Sequence, residues 1–305
     1  MIQSDSTIFG RQLATLLMCV CLASCAAVGP DYEQPEAPVP DTWGTAQNAG
    51  LLATDYELVE WWEVFDDPTL NRLVEIAHAQ NYNLKLAGLA VLEARAQLGI
   101  AVGAQYPQQQ FISGDVTRIG PSENAGQGDT SFSQYDLSAS LAWEMDFWGK
   151  FRRGVESADA ALQASVANYD DAMVLITAQV VSTYVTIRTL EEQLRIAHEN
   201  LKLQQRSYDI ATVLYKNGQD SELDVQQALS LLLNTQAAVP SLEAQVNLSR
   251  NAMDTLLGQA NGYTETLISE GPIPDVPKQI AVGIPADLLR RRPDLRQAEL
   301  VAVAQ

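Results

Sequence analysis

The sequence predicts a mainly α chain with a small β part: one long antiparallel coiled-coil helical hairpin and one β-hairpin of membrane type. Three observations lead there. Residues 169–215 carry apolar side chains at alternating steps of four and three. Residues 133–147 alternate apolar and polar in twos. A short apolar run near the N-terminus closes on Leu22-Ala23-Ser24-Cys25, small residues leading into a cysteine.

That run, Leu13 to Ala23, has the length of a secretory h-region and is too short to span a bilayer as a helix. Residues 1–24 therefore read as a lipoprotein signal peptide. Cleavage before Cys25 leaves that cysteine as the acylated N-terminus, and each buried CH₂ adds ~0.8 kcal/mol of membrane affinity. Cys19 and Cys21 leave with the signal, so no free thiol is expected in the mature chain. With 19 Lys and Arg against 38 Asp and Glu, the net charge is -19, which argues against nucleic-acid binding. His78 and His198 have no metal-ligand spacing around them and are each expected on a solvated helix face. Neither a glycine-rich phosphate loop nor a GxSxG is present. No enzyme, cofactor or metal is expected.

Residues 25–67 are a Pro-rich acidic tether, with Pro30, Pro35, Pro38 and Pro40 opposing helix and ladder alike. Trp61, Trp62 and Phe65 form an apolar knot, and Asp67-Pro68 has the form of an N-cap with proline at the first helical position. Residues 68–107 are helical, with a soft point at Asn81-Tyr82-Asn83 and a stop at Pro107.

Residues 108–148 read as a β-hairpin: a first strand at 109–118, a polar loop, and a second strand over 133–147. In the second, Tyr135, Leu137, Ala139, Leu141, Trp143, Met145 and Phe147 share one face. Its length suits a tilted bilayer crossing, with Tyr135 near one interface and Trp143 and Phe147 near the other. A soluble hairpin packed on a core fits the same alternation.

Residues 149–262 read as a long helical hairpin. From Tyr169, steps of four and three reach Met173, Ile176, Val180, Thr183, Ile187, Leu190, Leu194, Ala197, Leu201, Gln204, Tyr208, Ala211 and Tyr215. This repeat of 3.5 specifies a left-handed supercoil. Asn217-Gly218 breaks the helix, and Ser221 with Asp224 opens the return. Val225, Leu229, Leu232, Val239, Val246, Met253 and Leu257 carry the seam back, and Pro240 predicts a kink. Residues 263–284 are a linker, and a last helical piece over 285–305 is expected to begin near Pro285. In it Leu295, Ala298 and Leu300 echo Leu84, Ala87 and Leu89 at one offset, which hints at an internal repeat.

A lone hairpin cannot cross a membrane, because its edges leave backbone groups unpaired in lipid. Three copies supply six strands, short of the usual minimum of eight, so further strands are needed.

The chain resembles the TolC-like outer membrane efflux factors of the lipoprotein (NodT-type) branch, which serve resistance-nodulation-division pumps. The match rests on Cys25 with Val28-Gly29-Pro30-Asp31-Tyr32, then Trp61-Trp62, Phe65 and Asp67-Pro68. It continues in Leu141 to Lys150, in Tyr215-Lys216-Asn217-Gly218 with Ser221 and Leu223-Asp224-Val225, and in Gly283-Ile284-Pro285 with Leu288 to Asp294. The resemblance implies a protomer piece of a trimeric tube, a β-barrel through the outer membrane continued by an α-barrel across the periplasm. It implies two tandem repeats, of which this sequence holds the first and the opening helix of the second, as a fragment or truncated product would.

By the same resemblance Tyr215, Gly218, Ser221, Leu223 and Asp224 form the periplasmic tip that meets a membrane-fusion adaptor. Tyr135, Leu137, Leu141, Trp143 and Met145 would face lipid, with Glu144 and Asp146 toward the lumen or rim, and no gate residue is assigned. The expected function is a passive export duct in the outer membrane, a homotrimer energised by an inner-membrane pump. The alternatives are a periplasmic coiled-coil lipoprotein that tethers or spaces, and a non-functional remnant.

Overall fold

The computed structural model describes residues 28–34, 51–52, 60–120, 131–269, 271–276, 280–281, 289 and 291–305. They fall into two compact units. One comprises Ala90–Val166, Gln297–Gln305 and the described part of Met1–Glu36; the other comprises the described parts of Ala37–Leu89 and Ala167–Arg296. Cys25 and the expected helix start at Pro285 lie outside the described residues.

In chain order the elements are β1 (Leu51–Leu52), a 3-10 turn (Trp61–Phe65), α1 (Pro68–Gln80), α2 (Tyr82–Gly103), β2 (Gln109–Ile119) and β3 (Phe132–Ala142). There follow α3 (Lys150–Lys216), α4 (Glu222–Leu256), α5 (Tyr263–Leu267), β4 (Ile280–Ala281) and α6 (Pro293–Val303). β2 and β3 form one antiparallel pair; β1 and β4 form a short parallel one.

The second unit holds the apolar core. α1 starts where the sequence predicts: the Asp67 carboxylate accepts from Thr69 N at 2.8 Å and Leu70 N at 3.2 Å, with Pro68 in the first turn. Its buried stripe of Leu70, Leu73, Val74 and Ala77 packs with Val180, Tyr184 and Ile187 of α3, and with Met253 and Leu257 at the end of α4. Trp61, Trp62 and Phe65 pack on the outside of this cluster. Two fully buried leucines on one turn contribute about 2 kcal/mol each by removal from water.

A polar knot crosses that core. Tyr184 OH donates to Asp67 Oδ2 at 2.5 Å, and the buried Arg188 donates to Tyr184 OH at 3.0 and 3.1 Å, to Glu191 at 3.1 Å and to Ser269 O at 2.5 Å. Burial, then the hydrogen bond to Asp67, push the Tyr184 phenol up to about 12.

α2 opens after a one-residue break at Asn81, whose side chain accepts from Asn83 N and Leu84 N while its amide reaches Leu256 O at 2.8 Å. α3 is continuous for 67 residues, about 100 Å at 1.5 Å per residue. α4 runs through Pro240 as one helix. Its seam is stricter than the sequence suggested: Val225, Leu232, Val239, Val246 and Met253, seven apart, are all buried. The upper half of α3 presents Leu190, Leu194, Ala197, Leu201, Gln204, Tyr208 and Ala211 as its less exposed stripe. In its lower half the buried set widens to Thr177, Val181 and Tyr184, because that stretch also faces the core of α1.

Three expectations are corrected. His78 is not on a solvated face: its Nε2 lies 2.7 Å from Thr177 Oγ1, its ring stands edge-on to Trp62 at 5.6 Å, and burial lowers its pKa. The start of the expected linker is packed structure, since α5 places Thr264 and Ile268 in the interior. The buried Asp254 folds it there by accepting from Gly262 N and Thr264 N, both at 2.7 Å. The second strand ends at Ala142, so Trp143, Met145 and Phe147 lie beyond the ladder.

Candidate functional site

The β-hairpin belongs to the first unit. β2 and β3 pair without a bulge from Gln109↔Ala142 to Ile119↔Phe132, and all 22 residues are exposed. Directly opposed residues share a face, so the register sorts the side chains. One face carries Gln110 with Leu141, Ile112 with Ala139, Gly114 with Leu137, Val116 with Tyr135, and Arg118 with Ser133 at the far end. Ile112 is 84% exposed, Leu137 83% and Tyr135 75%. The other face carries Ser113 with Ser138, whose hydroxyls meet at 2.7 Å, then Asp115 with Asp136 and Thr117 with Gln134. Thr117 Oγ1 donates to Asp115 at 2.5 Å and Gln134 Nε2 to Asp136 at 2.8 Å, so each carboxylate is held by its own strand. Phe111 with Ser140, and Ile119 with Phe132, lie toward the two ends of this polar face.

The base of the hairpin explains where the ladder stops. Continuing the register would pair Glu144 with Pro107, which has no N–H to give. The Gln108 side chain takes over: Glu144 N donates to Gln108 Oε1 at 2.8 Å, and Gln108 Nε2 donates to Glu144 O at 3.3 Å and to Ala104 O at 2.9 Å. Trp143 Nε1 donates to Gln105 O at 3.1 Å. Trp143 and Met145 are half exposed and Trp148 more so, which leaves an aromatic collar below the strands. Asp146 Oδ2 accepts from Arg152 N at 2.9 Å at the start of α3, so Asp146 is a helix-end acceptor. No sequence signal marked Gln108, since its role depends on the register.

The helical tip belongs to the second unit. α3 ends in a Schellman motif: Gly218 N donates to Tyr215 O and Gln219 N to Leu214 O, both at 2.9 Å, with Gly218 at φ +72°. Ser221 then caps α4 through a capping box, Asp224 N donating to Ser221 Oγ at 3.3 Å and Ser221 N to Asp224 Oδ2 at 3.4 Å. The Ser221 hydroxyl, the neighbouring Asp220 and the Ser221 N–H hold the Asp224 carboxyl below the usual carboxylate range. Tyr215, Gly218, Ser221, Leu223 and Asp224 are all exposed around this turn, Leu223 at 64%.

A second feature of the helices was not read from the sequence. Ile196, Leu203 and Ile210, seven apart on α3, are exposed and lie off the seam used by α4. Among the described residues no cluster of His, Cys, Asp and Glu suited to a metal is present.

The chain thus combines a long helical hairpin with a two-faced, fully exposed β-hairpin, the pair of elements that defines its class. Residues 73–259 match the family model for outer membrane efflux proteins, more than half of the chain. The chain is 33% identical over 280 residues to Nodulation protein T of Rhizobium leguminosarum bv. trifolii, covering 91% of this chain and 59% of that protein. It is 30% identical over 294 residues to the probable outer membrane lipoprotein SilC of Salmonella typhimurium, covering 95% and 62%. Among solved structures, the outer-membrane channel OprN superposes with a TM-score of 0.80 at 33% identity, over 92% of this chain and 62% of that one. CusC, described in terms of folding and transmembrane channel formation, gives 0.71 at 25% identity over the same shares. The chain belongs to the outer membrane efflux protein family. It spans about three fifths of the length of the curated relatives it matches.

Proposed function

We propose that this chain forms part of the wall of an outer membrane export channel, a passive duct for small solutes that an inner-membrane pump energises. The observation that carries the reading is the hairpin. Its strands of eleven residues are long enough to cross a bilayer at a tilt, and one face is apolar and uncovered from Leu141 to Val116, with Gln110 at one end and Arg118 and Ser133 at the other. In the proposal Tyr135, Leu137 and Leu141 face lipid, Trp143 and Met145 sit in the interfacial collar, and Asp115 and Asp136 face the lumen. Acylated Cys25 anchors the chain in the same membrane, and no cofactor is involved.

The helical part is read as periplasmic wall. The exposed stripe of Ile196, Leu203 and Ile210 supports a second helical neighbour, because apolar residues at heptad spacing call for a facing helix. α2 supports it too: Leu86, Leu89, Leu92 and Ile100 are exposed, while Lys85, Glu93 and Arg95 interrupt any lipid-facing run. A homotrimer supplies such neighbours. Tyr215, Gly218, Ser221, Leu223 and Asp224 at the turn are read as the surface that meets a periplasmic adaptor protein.

The test is deletion of the gene in its own host, scored by susceptibility to a panel of dyes, detergents and antibiotics. Raised susceptibility, restored by the intact gene and not by a copy lacking residues 109–142, is expected. Unchanged susceptibility, with the protein present in outer membranes, would contradict the duct and favour a periplasmic tether.

A further inference from the structure

The tether's first described residues are docked, and what docks them points to a role. Val28 N donates to Trp148 O at 3.0 Å, at the aromatic base of the hairpin. One helical turn into α3, Arg153 donates to Gly29 O at 3.2 Å and Asp31 Oδ1 at 2.7 Å. Tyr32 OH donates to Glu299 Oε1 of α6 at 3.3 Å. All of these residues belong to the first unit. Residues 28–32 thus form a strap lying across the start of α3, with Arg153, itself largely covered, as its main cation.

We propose that Arg153 is a positioning residue for the lipid anchor: by holding Gly29 and Asp31 it fixes the height at which the acyl chains on Cys25 enter the membrane. The inference rests on the reading of Cys25 as acylated. Val28 is three residue steps from Cys25, a reach of roughly 10 Å for extended chain. The acyl chains therefore leave the protein within that distance of Trp148, and Trp143, Met145, Phe147 and Trp148 form the half-apolar collar expected at a headgroup layer. A free tether would let the anchor roam along the helices; a docked one places lipid and collar in one leaflet. The Arg153–Asp31 pair is exposed on the Asp31 side and needs little strength, since it selects a position and the acyl chains supply the affinity.

The test uses the full-length lipoprotein in isolated outer membranes, with Val28→Cys and Gly154→Cys as a crosslinking pair. Gly154 has open space where a side chain would go, and both positions line the same groove. A short bismaleimide should join them efficiently in the otherwise native chain. Asp31→Arg or Arg153→Asp should lower the crosslink about threefold, the shift an exposed ion pair can carry, whereas Arg153→Lys, which keeps a cationic donor for Gly29 O and Asp31, should retain most of it. The acyl mass on Cys25 should be the same throughout. Unchanged crosslinking in Asp31→Arg and Arg153→Asp, or a loss in Arg153→Lys as large as in Arg153→Asp, overturns the proposal while leaving the anchor intact. An unmodified Cys25 in the parent protein overturns the lipoprotein reading and the proposal with it.

Discussion

Gly258 carries a tight backbone constraint. It sits at φ +64° in a second Schellman motif, where Gly258 N donates to Thr255 O and Gln259 N to Asp254 O, and a Cβ there would lie 2.6 Å from Gln80 O. Gly258→Ala should therefore combine left-handed strain with a clash against backbone, costing about 2 kcal/mol or more, read by urea denaturation. At the tip, Ser221→Ala should remove about 1 kcal/mol of helix capping. Asp224 adds a pH dependence. Its carboxyl is depressed in the folded protein, so its contribution is fully present above the ordinary carboxylate value and is lost as pH falls through the lower, folded value. Asp224→Asn should therefore lower the stability of the tip at neutral pH, read by amide exchange near Ser221, and its deficit relative to the parent should shrink as pH falls through the folded value.

Residue-level signals were legible where the partner is local. Asp67, Ser221 and Gly218 act within four residues of themselves, and sequence spacing states such roles directly. His78 acts with Thr177, 99 positions away, and Arg188 with Ser269, 81 away, so no spacing could reveal either.

At the scale of elements, periodicity identified the helices and the hairpin but not their limits. The alternation of the second strand runs on to Phe147, yet the ladder stops at Ala142 because Pro107 would be the next partner but one and offers no N–H. Side-chain pattern records which face a residue is on; it does not record whether a partner strand is there. The turn at 263–268 was hidden similarly, since Asp254 gathers it from ten positions upstream. The hairpin also carries the sharpest element-level prediction. Leu137→Arg, at the centre of the strand, should lower stability in lipid by ~2–4 kcal/mol. Ser138→Arg, on the opposite face, should cost much less. Folding into vesicles at graded urea concentrations separates the two.

For the whole molecule, what stands out is surface that a monomer leaves unsatisfied. Among the described residues the hairpin has two free edges and a largely apolar open face, and α3 carries an unpaired heptad stripe. Leu203→Asp should leave helix content unchanged by circular dichroism, because Leu203 is 65% exposed and outside the seam, yet it should shift the assembled protein toward monomer on native gels. The central claim is that residues 109–142 are outer membrane wall. Single cysteines along Gln134 to Leu141, labelled in intact outer membranes with a membrane-impermeant maleimide, test it most directly. The account predicts strict alternation: positions 134, 136, 138 and 140 react from the aqueous lumen, while 135, 137, 139 and 141 are shielded by lipid. Equal labelling on both faces would place the hairpin in water and contradict the account.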